Sequence, residues 1–381
     1  MFPPIRTGTS YYTANLAAAL VASGCSVTVV TLRNEEAVDE RLPYNVVRLP
    51  ALHLPLKNYF KHLRVSACFP RNFAALDRIA KDSRAEAVLL INHYLDIAFP
   101  AIFAARRSNI PLVCSVGTQL QSPHRIRNSI LRSLDRLICG RMIFAFCRCI
   151  VSWDREILRY LHDVHGSEVT GKSVIINYGV NGDPASFLGH DHDYRPHDQI
   201  LGVGAVIEQR DYLPLVRAFG LLAGEFPRLR LKIVGHVYHD AARRYAKTLG
   251  LDARVEFAGE RPHAQVLEEL KRSDLFFASL TGRYIGLGTA TIESMLMGVP
   301  TVANAYADLL GKAWLADMEH IVLLKDLTPA HIADRMRALL GSQTLRARIG
   351  QGGRAFVSEH MNWDRVAGDY LDMLRALSAD K

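Results

Sequence analysis

The chain has 381 residues, more than one ordinary α/β core needs and enough for two domains of about 180 residues each. Its composition, 49% hydrophobic and 22% charged, is typical of a soluble globular protein, and no apolar run approaches the roughly 20 residues of a membrane-spanning helix. The 46 Lys and Arg outnumber the 38 Asp and Glu, and the net charge of +8 favours an anionic partner such as a nucleotide diphosphate, an anionic membrane or a nucleic acid.

The first residues, MFPPIRTG, lack both the basic end and the apolar segment of a secretory signal, which predicts a cytoplasmic protein. Beyond them, short β-branched runs alternate with helical patterns, and strands separated by helices form parallel sheets. In the first half the predicted strands are 25–31, 45–49, 87–92, 111–116, 149–153 and 173–178. In the second half they are 200–204, 229–235, 254–259, 275–279, 300–304 and 320–324. The sequence therefore predicts two doubly wound α/β domains.

A segment at 183–199, rich in Asp, His, Gly and Pro and without a hydrophobic period, is predicted to be an interdomain linker. It separates an N-terminal domain, 1–182, from a C-terminal domain, 200–360. In the second domain, Gly204 and Gly235 each follow a predicted strand and precede a helix. Such turns open ligand crevices at the carboxyl edge of a parallel sheet.

Neither a disulfide framework nor a metal site is expected. All six cysteines lie in the first half, mostly in apolar segments, where a reduced thiol behaves as a small hydrophobic side chain. Cys147 and Cys149 have no partners at zinc-site spacing. Asp191, His192 and Asp193 match an Asp-x-Asp metal motif, but they lie in the turn-rich linker and not at a strand end. We expect no metal and no cofactor.

The segment 284–300, YIGLGTATIESMLMGVP, carries the strongest chemical signal. Gly286 and Gly288 follow a predicted strand and let backbone N–H groups approach a phosphate closely. Thr289 then begins a predicted helix whose N-terminus attracts an anion. Glu293 falls about one turn into this helix, where its carboxylate can accept hydrogen bonds from a ribose diol. The alternative for Glu293 is a surface carboxylate stabilised by the helix dipole.

This segment resembles the donor-site motif of glycosyltransferase family 4, retaining enzymes of GT-B fold, which reads roughly E-G-F-G-x-x-x-x-E-A-M-A-x-G-x-P-V. The resemblance continues through IINYGVN at 175–181, VGAVIEQRDYLPLVRAF at 203–219 and the closing helix at 361–378, which in the family crosses back onto the first domain. It also includes the opening PPIRTG, whose Gly8 would face the donor unless it forms an ordinary turn. The resemblance implies two Rossmann-like, doubly wound parallel-sheet domains facing a central cleft, with the donor held by the second.

Several positions depart from the family pattern in the donor domain. Ile285 stands where the family has a Glu that binds the donor hexose. Ala205 and Arg210 stand where the family has an Arg and a Lys on the diphosphate, and of these only Arg210 can pair with phosphate. The donor-binding residues implied by the resemblance are Gly8, Gly204, Arg210, Gly286, Leu287, Gly288, Thr289 and Glu293.

The first domain departs from the pattern as well. The family's histidine would fall near 115–117 and is absent, so His93 and His124 are the available substitutes, and His93 is the candidate catalytic residue. The alternative for His93 is a hydrogen-bonded core residue. The opening loop normally follows the family's first strand, so the N-terminal sheet is expected to lack that central strand. We favour a coding start upstream of Met1 over a damaged sheet, because losing a central strand exposes two unpaired edges.

The segment 125–148 carries six arginines, a single acid at Asp135 and apolar residues between them. Similar helices in the family dock on anionic membranes, where lipid-linked acceptors lie. The alternative is a half-buried helix with a solvated arginine face. Nucleic-acid binding has no supporting fold or interleaved aromatic residues.

The resemblance implies transfer of a hexose, with retention, from a nucleotide-diphosphate sugar to a hydroxyl of a glycan or lipid-linked acceptor. We expect a cytoplasmic enzyme, peripheral on the inner face of the cell membrane if the basic segment docks there. Two other functions stay open. One is a degenerate, non-catalytic relative that acts as a binding partner, motivated by Ile285, Ala205 and the missing histidine. The other is a nucleotide-sugar epimerase of the same fold.

Overall fold

The structure is a computed structural model and describes residues 2–3, 8–33, 41–53, 64–94, 96–122, 125–180 and 192–379. The chain divides into two compact units, one of Met1–Gly179 with Trp363–Lys381 and one of Val180–Asn362. Of the predicted linker, 183–199, residues 183–191 lie outside the described residues and residues 192–199 are described. Within the described residues, no helix is long and apolar enough to cross a membrane.

The first unit contains short strands whose sequences are β-branched and apolar. They are β1 (Thr28–Leu32), β2 (Asn45–Leu49), β3 (Leu52–His53), β4 (Arg64–Val65), β5 (Val88–Ile91), β6 (Leu112–Val116), β7 (Cys149–Ser152) and β8 (Ser173–Ile175). Strands β5, β6, β7 and β8 form a parallel sheet in that order, and β1 pairs in parallel with β2. Within the described residues no strand joins these two sheets.

Helices connect the strands of the first unit. They are α1 (Gly8–Ala22), α2 (Pro70–Asp82), α3 (Ala98–Arg107), α4 (Arg125–Leu134), α5 (Arg155–His165) and α6 (Ser167–Thr170). After α4 the chain continues as a π-helix, Asp135–Ile143, and a 3₁₀ turn, Phe144–Phe146. The start of α5 is fixed by Asp154, whose carboxylate accepts the N–H of Ile157 at 2.8 Å and caps the helix.

The second unit contains one six-stranded, all-parallel sheet. Its strands are β9 (Gln199–Val203), β10 (Arg230–Val234), β11 (Val255–Gly259), β12 (Leu275–Ala278), β13 (Thr301–Ala303) and β14 (Val322–Leu323). They are arranged in the order β11-β10-β9-β12-β13-β14. Successive strands are added on one side of β9 up to β11 and on its other side from β12 onward, so the strand order reverses beside β9. In open α/β sheets, ligands bind at the carboxyl edge near such a reversal.

The helices of the second unit pack against its sheet. They are α7 (Leu213–Leu222), α8 (Ala241–Thr248), α9 (His263–Lys271), α10 (Thr289–Leu296), α11 (Pro329–Leu340) and α12 (Gln343–His360). The core is built from continuous apolar strands, with Ile200, Ile233 and Phe277 essentially inaccessible to solvent, packed with Phe219 of α7. Continuous apolar strands are what a parallel sheet covered on both faces requires. The predicted two-domain, doubly wound parallel architecture is confirmed.

The last helix, α13 (Trp363–Ala379), belongs to the first unit and packs against α1. The Tyr370 hydroxyl of α13 lies 2.8 Å from the Tyr12 hydroxyl and donates a 2.9 Å hydrogen bond to Ser115 Oγ. All three side chains are buried. This polar contact fixes the last helix on the first unit's core.

Burial of His192 makes the second unit sensitive to acid. Its ring is buried beside Tyr194, at 4.9 Å between centroids, and burial, followed by His197 and Arg346, lowers its pKa to about 4. The unfolded chain therefore binds more protons than the folded one between about pH 6.5 and 4, so stability falls as the pH drops through this window.

We expect His192→Asn to reduce the acid-induced loss of unfolding free energy between pH 7 and pH 4.5 by about 2 to 3 kcal/mol. Urea denaturation of the wild type and the variant at both pH values measures this difference. Asparagine substitution at His162, exposed on α5, is the control and should leave the pH dependence as in the wild type. Equal pH slopes for wild type and His192→Asn would contradict the assignment.

Candidate functional site

Two glycines at the carboxyl edge of the six-stranded sheet bring neighbouring loops into backbone contact. Gly204, after β9, and Gly235, after β10, have φ values of 141° and 149°, which side-chain-bearing residues rarely adopt. A Cβ on Gly235 would lie 2.0 Å from the Gly204 carbonyl oxygen. The N–H of Val206 also donates to the His236 carbonyl at 2.9 Å. No side chain fits between the loops, so they present backbone atoms at this edge.

Arg210 lies at the same edge and reaches the start of α10. Its Nη1 is 3.4 Å from the position of a Cβ on Gly204, and its Nη2 is 3.6 Å from the corresponding position on Gly288. Gly288 is the N-cap of α10, and the first helical residue is the exposed Thr289. Among the described residues, no acid lies within salt-bridge distance of Arg210. A guanidinium without an acidic partner among the described residues and a helix N-terminus side by side both favour an anion at this edge.

Hydrogen bonds on both sides of Arg210 hold its loop against the loop that follows β12. The N–H of Gly282 donates to the Gln209 carbonyl at 2.8 Å, and the N–H of Asp211 donates to Thr281 Oγ1 at 2.9 Å. A Cβ on Gly282 would lie 2.6 Å from the Gln209 Cβ, so this contact also requires glycine. The backbone on both sides of Arg210 is therefore held against the loop that follows β12.

Glu293 lies in the second turn of α10 and is 19% exposed. Its Oε1 is 3.0 Å from Nε2 of His263, the first residue of α9. A carboxylate can only accept, so Nε2 carries the proton. The hydrogen bond to Glu293 raises the pKa of His263 above its usual value. Since α9 follows β11 and α10 follows β12, both side chains belong to the carboxyl edge that carries Arg210.

The front of the 284–300 segment carries no charged side chain for a sugar. Ile285 and Gly286 are half-buried, Leu287 is buried, and Tyr284 is buried with a φ of 63°. A positive φ in a large aromatic residue costs about 1 to 2 kcal/mol and persists only where the surroundings impose it. The segment is therefore held in one backbone conformation, with Ile285 offering no acceptor to a donor hydroxyl.

A polar cluster lies at the carboxyl end of β5 in the first unit. Asn92 is fully buried with a φ of 66°, and its Nδ2 donates to Thr9 Oγ1 at 2.6 Å. Its Oδ1 accepts the N–H of Gly117 at 3.2 Å and the hydroxyl of Thr118 at 3.4 Å. Gly8, which begins α1 one residue before Thr9, is exposed, and a Cβ there would meet nothing within 4 Å. Gly8 is thus not required by packing within this unit.

His93 is fully buried and faces the interior of the first unit. Its Nε2 lies 3.4 Å from Asp135 Oδ1, while Asp135 Oδ2 lies 3.5 Å from His165 Nε2 and accepts the Tyr160 hydroxyl. Burial alone would raise the pKa of Asp135, but His165 and His93 hold it well below its usual range. Donor atoms of His93, Asp135 and Cys139 lie within 4.8 Å of one another. Since the Tyr160 hydroxyl already occupies Asp135 Oδ2 and every side chain of the group is buried, we interpret His93 as part of a polar cluster in the core of the first unit.

The position that lacks the expected histidine is filled by an aromatic ring. A Cβ on Gly117 would lie 2.1 Å from Trp153 Cε3. Trp153 stacks on Tyr12 at 4.1 Å between centroids, and its Nε1 donates to Ser115 Oγ at 2.8 Å. A histidine at 117 would therefore displace a fixed tryptophan. The alternative candidate, His124, lies outside the described residues.

The close approach at Gly235 leads to a prediction about stability. We expect Gly235→Ala to lower the unfolding free energy by at least about 2 kcal/mol, because the new Cβ would force the Gly204 and Gly235 loops apart in addition to its unfavourable φ. Gly250→Ala is the matched control, since Gly250 has a φ of 66° and open space around its Cβ position. Urea denaturation should give a clearly smaller loss, about 1 kcal/mol, for the control. Equal losses would show that the loops do not touch as described.

The two α/β units with parallel sheets define a protein of the two-domain, Rossmann-like class. Comparison with protein-family models makes the class specific. Residues 6–183 match the model for Glycosyltransferase Family 4, and residues 195–356 match the model for Glycosyl transferases group 1. The chain belongs to the group 1, family 4 glycosyltransferases.

One relative and several solved structures are similar to this chain. An uncharacterized glycosyltransferase of Methanocaldococcus jannaschii is 22% identical over 261 residues, 66% of this chain and 64% of its own length. The fold is shared with sucrose-phosphate synthase from Thermosynechococcus elongatus, at a TM-score of 0.68 and 18% identity, over 98% of this chain and 94% of that one. Anabaena HepE in complex with UDP-glucose also has this fold, at a TM-score of 0.67 and 14% identity, over 99% of this chain and 98% of that one.

Proposed function

We propose that this protein transfers a hexose from a nucleotide-diphosphate sugar to a hydroxyl of a glycan or lipid-linked acceptor, with retention of configuration. The observation that carries the proposal is the convergence of Arg210 and the α10 N-terminus beside Gly288, within about a turn of Glu293. This is an anion site followed by a carboxylate, the order in which a nucleotide presents its diphosphate and its ribose.

The chemistry that this site would perform is electrostatic. As the bond from the sugar to the diphosphate breaks, negative charge grows on the leaving phosphate oxygens. Arg210 and the free backbone N–H groups at the start of α10 would stabilise that charge without reorganising, the kind of preorganised stabilisation that often dominates enzymatic rate enhancement. Glu293 would hold the ribose diol by charge-assisted hydrogen bonds. No protein nucleophile, metal or cofactor is assigned to the transfer.

The departures from the family pattern fit a donor site with fewer charged contacts. At the two positions where the family has an Arg and a Lys, this chain has Ala205 and Arg210, so only Arg210 carries a charge. The side chain of Ile285 supplies no acceptor for a sugar hydroxyl. The backbone of 286–288 and the α10 N-terminus are unaffected by either change. We therefore expect nucleotide binding to depend mainly on backbone atoms, Arg210 and Glu293. The structures of Anabaena HepE with UDP and with UDP-glucose support a nucleotide sugar as the class of donor.

A thermal-shift panel of UDP, GDP, ADP and their sugar conjugates, followed by a radiolabelled transfer assay with EDTA present, tests this function. We expect stabilisation by one nucleotide and its conjugate, and sugar transfer to a glycan or lipid-linked acceptor. Ile285, Ala205 and the Trp153-filled position at Gly117 motivate the second candidate, a non-catalytic binding protein. Binding without transfer or donor hydrolysis would favour that candidate. Stabilisation by none of the nucleotides would reject the proposed function.

The surface of α4 and the π-helix supports a membrane-bound acceptor. Large apolar side chains are exposed along it, including Ile126 at 79%, Ile130 at 56% and Leu137 at 52%. The arginines of segment 125–148 are interleaved with them, and Arg125, Arg127, Arg136, Arg141 and Arg148 are exposed. Apolar residues that can enter the lipid interface beside arginines that attract anionic headgroups form a peripheral membrane surface.

Vesicle sedimentation tests the membrane surface. We expect the protein to sediment with vesicles containing about 30% phosphatidylglycerol, less with pure phosphatidylcholine, and less again at high salt, because each arginine near the surface contributes roughly 1 kcal/mol. Replacing Ile126 and Ile130 by Ser should abolish binding while leaving nucleotide-induced stabilisation unchanged. Binding that does not depend on these residues or on lipid charge would assign the surface to another role.

A further inference from the structure

The proposed ribose ligand, Glu293, is already engaged by a second side chain. His263 begins α9 and donates from Nε2 to Glu293 Oε1 at 3.0 Å, across a sequence separation of 30 residues. The imidazole itself is 61% exposed, whereas the carboxylate is only 19% exposed. The imidazole of the pair is therefore largely exposed to solvent, whereas the carboxylate is mostly covered. This carboxylate is the one that the proposed function places on the ribose.

The hydrogen bond leaves the carboxylate free to bind a diol. Only Oε1 contacts His263, and no hydrogen bond from another described residue reaches Oε2. Each carboxylate oxygen also has two lone pairs, so Oε1 can accept a second donor. A glutamate side chain otherwise samples many rotamers, and fixing it on binding lowers affinity. A bond that fixes it beforehand removes that cost.

We infer that His263 is a positioning residue that holds the Glu293 carboxylate in place for the ribose diol of the donor nucleotide. The inference rests on the proposed function, because it concerns the same nucleotide site. It adds a residue from a different helix to that site, and it ties recognition of the ribose, as distinct from deoxyribose, to the imidazole of α9.

The charge of His263 gives the positioning role a pH dependence. Glu293, on α10, is the charged side chain in hydrogen-bond contact with the imidazole, and Glu260 and Arg261 lie exposed just before it in the chain. The bond to Glu293 raises the pKa of His263 in the free protein. A bound nucleotide sugar brings two further negative charges to the same edge, which favours the protonated imidazole. Affinity should therefore rise as the pH falls through the His263 pKa.

Calorimetry with UDP, GDP and ADP, each compared with its 2′-deoxy counterpart, tests the positioning role. For the nucleotide that binds, we expect His263→Ala to weaken affinity about 5- to 10-fold and to reduce the preference for ribose over deoxyribose. His263→Gln, which keeps an N–H donor, should restore most of both. Gln265→Ala, exposed on the first turn of the same helix, is the matched control and should change neither.

The pH dependence is measured with the matching nucleotide sugar, whose diphosphate does not titrate between about pH 5.5 and 8. Wild-type affinity should increase toward pH 5.5, and His263→Gln should flatten the profile. If Glu293→Ala weakens binding while His263→Ala leaves affinity and ribose preference unchanged, or tightens binding, the positioning role is wrong and the proposed site stands. If no nucleotide binds the wild type, or Glu293→Ala has no effect, the positioning role falls together with the ribose assignment.

Discussion

Replacing Glu293 by alanine is expected to lower the affinity for the free nucleotide diphosphate and for the nucleotide sugar by a similar factor, about 10- to 100-fold. The carboxylate would accept two hydrogen bonds from the ribose, each worth roughly 1.5 to 3 kcal/mol, part of which water recovers in the variant. Calorimetric titration with both ligands measures the loss.

Comparing the loss of affinity for the free nucleotide with that for the nucleotide sugar shows whether Glu293 binds the ribose or the donor hexose. A loss confined to the sugar conjugate would move the carboxylate to the hexose, and no loss for either would remove it from the site. Glu268→Ala is the control, because Glu268 is exposed on α9 and pairs only with Lys271, 3.1 Å away, among its described contacts. We expect that variant to bind as the wild type does.

Arg210→Ala is expected to lower kcat about 10²- to 10³-fold, more than it weakens donor binding. In the proposed function the guanidinium lies where charge would develop on the leaving diphosphate, and removal of one preorganised donor of this kind typically costs a factor in this range. Arg210→Lys should recover part of the rate, because lysine keeps the charge but not the planar fork. Initial rates of sugar transfer at saturating donor measure the effect.

A surface arginine of the same unit provides the control for this variant. Arg244 is exposed on α8, where it pairs with Asp240 at 3.3 Å, and Arg244→Ala should retain full kcat. If Arg210→Ala raises KM while leaving kcat unchanged, the guanidinium contributes to donor binding alone. The transfer step would then depend on the α10 N-terminus without it.

The strands were predictable because parallel, two-sided burial selects continuous β-branched and apolar runs, which the sequence displays directly. Each predicted strand of the second unit is present, for example 229–235 as β10 and 275–279 as β12. The antiparallel pair of β3 and β4 was missed, since each has two residues and no detectable period. The π-helical turn at Asp135–Ile143 was missed as well, because helical periodicity does not distinguish its hydrogen-bond register.

The candidate site was predictable only where its signal is local. Gly288 and Glu293 are recognisable from spacing within one helix and its preceding turn. The approach of Arg210 to Gly288 depends on how two loops pack, and the contact of His263 with Glu293 depends on the order of β11 and β12 in the sheet. Neither leaves a pattern in the chain. Nor does the occupation of the Gly117 position by Trp153, which lies 36 residues later, directly after the neighbouring strand β7.

The attachment of α13 to the first unit determines the order in which the protein can be completed on the ribosome. Residues 180–362 form their unit from one continuous stretch, whereas the first unit needs Tyr370 to close its contacts with Tyr12 and Ser115. Domains generally fold as units during synthesis, at about 5 to 20 residues per second. The part of the chain that is made first therefore completes its core last, when α13 becomes available.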